Sequence, residues 1–149
     1  MNAELYYEDI EIGDEIDPVE RSVSLEQVRA FLAIRGGVSG PSRFTDDAYA
    51  RSEGLPSAIV PGAMNSAMMA QLLTGWSPTV TLKKMEVVFR QVVPHNSLLE
   101  IKGVVTSKHV VDDEPQIHCD VFIESEEGTV HVIGHATVVL PMQQVGRSL

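Results

Sequence analysis

Hydrophobic and polar positions follow two different periods along this chain, and the change comes near Trp76. Upstream, apolar residues recur at helical spacing. Leu25, Val28 and Leu32 form one stripe over 24–35, with Ser24 placed to cap the helix, Gln27 at the capping-box position and Gly36-Gly37 to stop it. A loop rich in Gly and Ser follows over 36–43, then a short helix over 46–53 that ends at Gly54. Residues 5–15 read as a loop or extended arm that turns at Gly13-Asp14. The stretch 61–74 differs in kind. Ala63, Met64, Ala67, Met68, Met69, Ala70, Leu72 and Leu73 encircle the helix instead of striping it, which predicts a helix buried all round. Pro61 suits its start, where a missing N–H is no loss, and Gly75 ends it.

Downstream the pattern is that of strands. Residues 79–93 and 98–107 carry runs of Val, Thr, Leu and Phe, and Ile117, Cys119, Val121 and Ile123 alternate with His118, Asp120, Phe122 and Glu124. Glu126-Glu127-Gly128 turns the chain into 129–140, where Val130, Val132, Ala136, Val138 and Leu140 share a face. Short turns between successive strands predict an antiparallel meander. One buried helix early and strands late predict an α+β architecture, a curved antiparallel sheet wrapped around a central helix. There is no repeat or low-complexity stretch, so a single domain over 1–149 is expected.

Composition narrows the function. Eleven Lys and Arg against 21 Asp and Glu leave a net charge of −10, a poor partner for nucleic acid or anionic lipid. No apolar run approaches a membrane span, and the first 20 residues lack the basic-then-apolar pattern of a secretion signal. The lone Cys119 permits no internal disulfide, which fits a reducing cytoplasm. His131 and His135 share a strand face but lack a third ligand, so no metal site is expected; that face is read as outer sheet surface or a subunit contact. His95 is read as a surface turn residue, and His109 and His118 as cross-strand neighbours.

Five stretches, in order, carry a resemblance. They are Tyr7-Glu8-Asp9-Ile10-Glu11-Ile12-Gly13-Asp14, Asp46-Asp47-Ala48-Tyr49-Ala50-Arg51, Ile59-Val60-Pro61-Gly62-Ala63-Met64, Phe89-Arg90-Gln91-Val92-Val93-Pro94 and Gly134-His135-Ala136-Thr137-Val138-Val139-Leu140-Pro141. Together they resemble the MaoC-like (R)-specific enoyl-CoA hydratases and acyl dehydratases. The resemblance implies a hotdog fold, an acyl-CoA or other acyl thioester as substrate and no cofactor. It also implies a site at a hotdog–hotdog interface, in a homodimer or in a heterodimer whose one half lacks the catalytic pair. In that family an Asp and a His position and deprotonate a water, while a backbone N–H at a helix start polarises the thioester carbonyl. Here Val38 stands at the Asp position and Arg43 at the His position, or Phe44 if the loop shifts by one; Gly40 replaces an Asn, and Pro61 a His. Neither Val38 nor Phe44 can move a proton, and Arg43 stays protonated. The family frame is expected without its dyad.

The remaining candidates have two readings each. The Gly62 N–H either meets a thioester oxygen or merely begins a helix. Asn65 either orients a water or thioester or makes a structural hydrogen bond, and Asp46 with Asp47 forms either a relocated acid/base pair or a helix cap. Pro61, Met64 and Met68 are candidates to line an acyl tunnel, and Lys84 and Arg90 either serve CoA phosphates or pair with nearby carboxylates. The central helix carries no carboxylate, which disfavours the thioesterase chemistry of other hotdogs. Three functions stay open: one subunit of a hydratase or dehydratase, a hotdog that binds thioesters without chemistry, or an enzyme with a relocated site.

Overall fold

The computed structural model describes residues 3–37 and 39–143. Its frame is one five-stranded antiparallel sheet, built from β1 (Glu15–Arg21), β2 (Thr81–Phe89), β3 (Leu99–Val111), β4 (Glu114–Ser125) and β5 (Val130–Val139), in the order β1-β3-β4-β5-β2. The expected meander holds for β3-β4-β5, where Asp112 and Asp113 (φ 50° and 66°) and Gly128 (φ 85°) make the tight turns. It does not hold throughout. β2 pairs with β5 instead of β3, because the chain between β2 and β3 leaves the sheet and bridges Ile59 through Pro94. β1 was not foreseen: Glu15-Ile16-Asp17-Pro18-Val19-Glu20-Arg21 carries a proline and three acids, and only Ile16 is buried. An edge strand with one buried residue leaves almost no period-2 signal.

The helices lie where their caps put them. α1 (Leu25–Ile34) opens with the Ser24–Gln27 capping box, and Gly36 and Gly37 (φ 97° and 78°) end it. α2 (Asp47–Ser52) is capped by Asp46 and stopped at Gly54 (φ 90°). α3 (Gly62–Thr74) crosses the sheet and packs Met69, Leu72 and Leu73 onto it. Gly134 of β5 makes room for this approach, since a Cβ there would stand 2.7 Å from the Met69 methyl.

α3 is not buried all round. Ala63, Ala67, Gln71 and Thr74 form an exposed stripe, and Met64 and Met68 are only partly buried. Alanine counts as apolar in a hydrophobic pattern yet costs little to leave in water, so the pattern overstated the covered circumference. The strand with the most regular burial is β4, whose Ile117, Cys119, Val121 and Ile123 are all at most 1% exposed.

Candidate functional site

Two antiparallel segments frame the start of α3. The Val60 N–H donates to the Val93 carbonyl at 2.8 Å, and Ile59 bridges Pro94. Two histidines brace these segments from either side. His131, 8% exposed, donates from Nδ1 to the Val92 carbonyl at 2.8 Å, and His95 Nε2 lies 3.3 Å from the Ile59 carbonyl. His131 is therefore not on an outer solvent face, as its place in the alternation suggests: the chain at 90–92 folds over it, with the Arg90 and Gln91 N–H groups both on its carbonyl.

A cleft of about 250 Å³ lies where these segments meet α3, with Gly62, Asn65, Phe89 and Arg90 among its lining. The Phe89 ring rests on Gly62 so closely that a Cβ at 62 would stand 3.0 Å from Cζ, which is a packing reason for glycine there. Among the described residues no acceptor takes the Gly62 N–H, one of the donors a helix start leaves unpaired. Asn65 sits one turn further in, 3% exposed, and its Oδ1 is buried with no donor in reach. Arg90 is exposed, and among the described residues its guanidinium pairs with no carboxylate. The cleft thus presents the Gly62 N–H, the side-chain amides of Asn65 and Gln91 and one cation, and its lining contains no Asp, Glu, His, Cys or Lys. Phe89 is not among the site candidates that the sequence suggests, although it opens the fourth resembling stretch. Its place beside Arg90 was the available signal.

The other candidates do not gather at the cleft. Arg43 makes a double contact with Glu53 (Nε–Oε1 2.9 Å, Nη2–Oε2 3.1 Å), while its carbonyl receives the Ile59 N–H, so its backbone braces a cleft wall and its charge points elsewhere. Phe44 packs against the core. Asp46 accepts the Tyr49 N–H at 3.0 Å and Asp47 the Ala58 N–H at 2.8 Å, which makes both of them local backbone braces. Lys84 pairs with Glu86 at 2.9 Å, and Lys83 with Glu114. Val38 lies outside the described residues.

On the outer sheet face, His135 contacts Asp120 at 2.8 Å, and the rings of His109 and His118 meet edge to face with centroids 5.7 Å apart. Among the described residues no three His, Cys, Asp or Glu side chains are arranged to hold a metal. Burial raises the Cys119 thiol to about 12, aided by Asp120, which leaves it protonated and unreactive. A wider groove, about 490 Å³, runs beside the other end of α3 between Trp76 and β1. Helix carbonyls, not free N–H groups, lie at that end.

No protein-family model and no curated protein matches the chain. Solved structures do match it. The (R)-hydratase from A. caviae involved in PHA biosynthesis superposes with a TM-score of 0.77 at 21% identity, over 89% of this chain and 98% of that one. A MaoC-like dehydratase from Rhodospirillum rubrum gives 0.79 at 19%, over 95% and 99%. The ChsH1-ChsH2 complex from Mycobacterium tuberculosis gives 0.73 at 15%, over 87% and 97%. These likenesses establish the fold: the sheet and its crossing helix form a hotdog, as the sequence resemblance implied.

Proposed function

We propose that this protein is an acyl-thioester-binding hotdog of the (R)-hydratase and MaoC-like dehydratase kind, working as the non-catalytic half of a two-hotdog assembly. The observation that carries this reading is the cleft at the head of α3, which offers the Gly62 N–H, a buried amide and an unpaired Arg90, yet no side chain that moves a proton near neutral pH. A free N–H at a helix start suits a thioester oxygen, and Arg90 suits an anionic group such as a CoA phosphate. Met64 and Met68, half-covered on α3, would complete an acyl-lined wall with Pro61. Lys84, held by Glu86, is the weaker phosphate ligand. A site in the cytoplasm fits the free buried thiol, and no helix among the described residues is long and apolar enough to cross a membrane.

The partner is a second hotdog, either another copy or a dyad-bearing chain. β2 is the strand that would receive it, because its last residue, Phe89, also lines the cleft. The relocated-site reading loses its best carboxylate, since Asp46 and Asp47 are spent on backbone N–H groups.

The test is hydration of crotonyl-CoA by the purified chain, alone and mixed with a hotdog that carries the Asp/His pair and co-purifies from the native host. The chain alone should run slower than the mixture by a factor on the order of 10²–10⁴, the usual worth of positioned proton transfer. Full turnover by the chain alone would overturn the reading.

A further inference from the structure

Asn65 is the anomaly of the cleft. An amide that is 3% exposed, with an Oδ1 that no protein donor reaches, is a destabilising choice on the apolar side of a helix, where Ala or Leu would pack at no such cost. It does not stand in a dry core. It lines the same cleft as the free Gly62 N–H and Arg90, one helical turn from Gly62. The Gly62 N–H and the Arg90 guanidinium donate. Asn65 Oδ1 is a buried acceptor.

We propose that Asn65 is a ligand-selecting residue whose side-chain carbonyl accepts a hydrogen bond from an O–H or N–H of the bound thioester. The inference rests on the thioester reading above and adds which ligands the cleft prefers. The Gly62 N–H takes an acceptor oxygen, Asn65 takes a donor, and residues at i and i+3 of a helix are neighbours. A thioester hydroxylated at its third carbon offers an acceptor and a donor a few bonds apart. A pantetheine arm offers the same donor chemistry through its amide N–H groups. A cleft that reserves an acceptor for a donor discriminates against analogues lacking it, because the buried acceptor is then left unpaired.

The experiment is calorimetric titration of the intact protein and of Asn65→Ala with 3-hydroxybutyryl-CoA, butyryl-CoA and free CoA. Asn65→Ala should melt no lower than the wild type, since it removes an unpaired buried acceptor. Asn65→Leu, with the same branching and number of side-chain heavy atoms, repeats the test should the alanine variant not fold. A wild-type preference of about tenfold for the hydroxylated ligand over butyryl-CoA, lost in the variants, supports the proposal with the hydroxyl as donor. A similar loss for all three ligands supports it with the pantetheine amide as donor. Unchanged affinities in the variants overturn the proposal and leave the thioester reading standing. Absence of binding by any of the three overturns both.

Discussion

The sheet has two edges, and they are built to opposite ends. β1 has seven residues, with Pro18 and Asp17 inside a register shift between Ile16 and Val19 and acids at Glu15 and Glu20. Bulge, proline and charge are the usual means of closing an edge to further pairing. Its attachment is internal, through Ile16 (3% exposed), whose side chain lies against Gly103 of β3. β2 has nine residues without proline or glycine, and it leaves Val88 49% and Phe89 55% exposed. Its own register shift, between Leu82 and Lys84, and its charged residues lie toward its start and middle, so the exposed apolar pair at its end is an interaction surface or an aggregation hazard. The contrast teaches that β1 is guarded along its length, whereas β2 is guarded over its first part and left apolar only at the end beside the cleft.

The largest effect should come from loosening the guarded edge. Ile16→Ala removes β1's one buried side chain and should cost roughly 2–5 kcal/mol in urea denaturation. A cost below about 1 kcal/mol would mean that β1 is not held by burial.

Next comes the apolar end of β2. Val88→Lys should raise the dissociation constant of the proposed two-hotdog assembly at least tenfold by sedimentation. Glu20→Lys on β1 should leave it unchanged. Equal effects at both edges would erase the contrast.

Cys119 on β4, between the two edges, supplies a common readout. Its thiol is 1% exposed and raised to about 12 by burial, so alkylation requires the sheet to open. Ile16→Ala should speed labelling about tenfold for each 1.4 kcal/mol lost, whereas Val88→Lys in dilute monomer should not. Because burial holds the folded thiol above its ordinary value of 9.0, its neutral form contributes stability that is present below pH 9 and lost as pH rises toward 12. Cys119→Ala should therefore flatten the fall in stability over that alkaline window.

The smallest effect separates bracing from chemistry. Asp46→Ala should cost about 0.5–2 kcal/mol through the lost α2 cap and leave thioester affinity as it was. A loss of binding without a loss of stability would return Asp46 to the site.

Much of this was legible along the chain. Ser24 with Gln27, Asp46, and the glycines at 36, 37, 54 and 128 act locally, so capping and turn geometry follow from residues a few positions apart. The same holds for β4 and β5, whose alternation records burial on one face. What the sequence could not determine was everything that depends on a neighbour far along the chain. β1 carries its single anchor against Gly103, which no local pattern records. The open side of α3 depends on how far a sheet reaches around it, and alanines read as covered whether they are or not. Burial of His131 depends on a crossing at 90–92, and the orphaned acceptor of Asn65 depends on which groups the tertiary fold failed to bring within 3.5 Å of it. Helix caps and strand periods are short-range and belong to the sequence. A cleft is made of surfaces that meet only after folding, and its chemistry belongs to the tertiary structure.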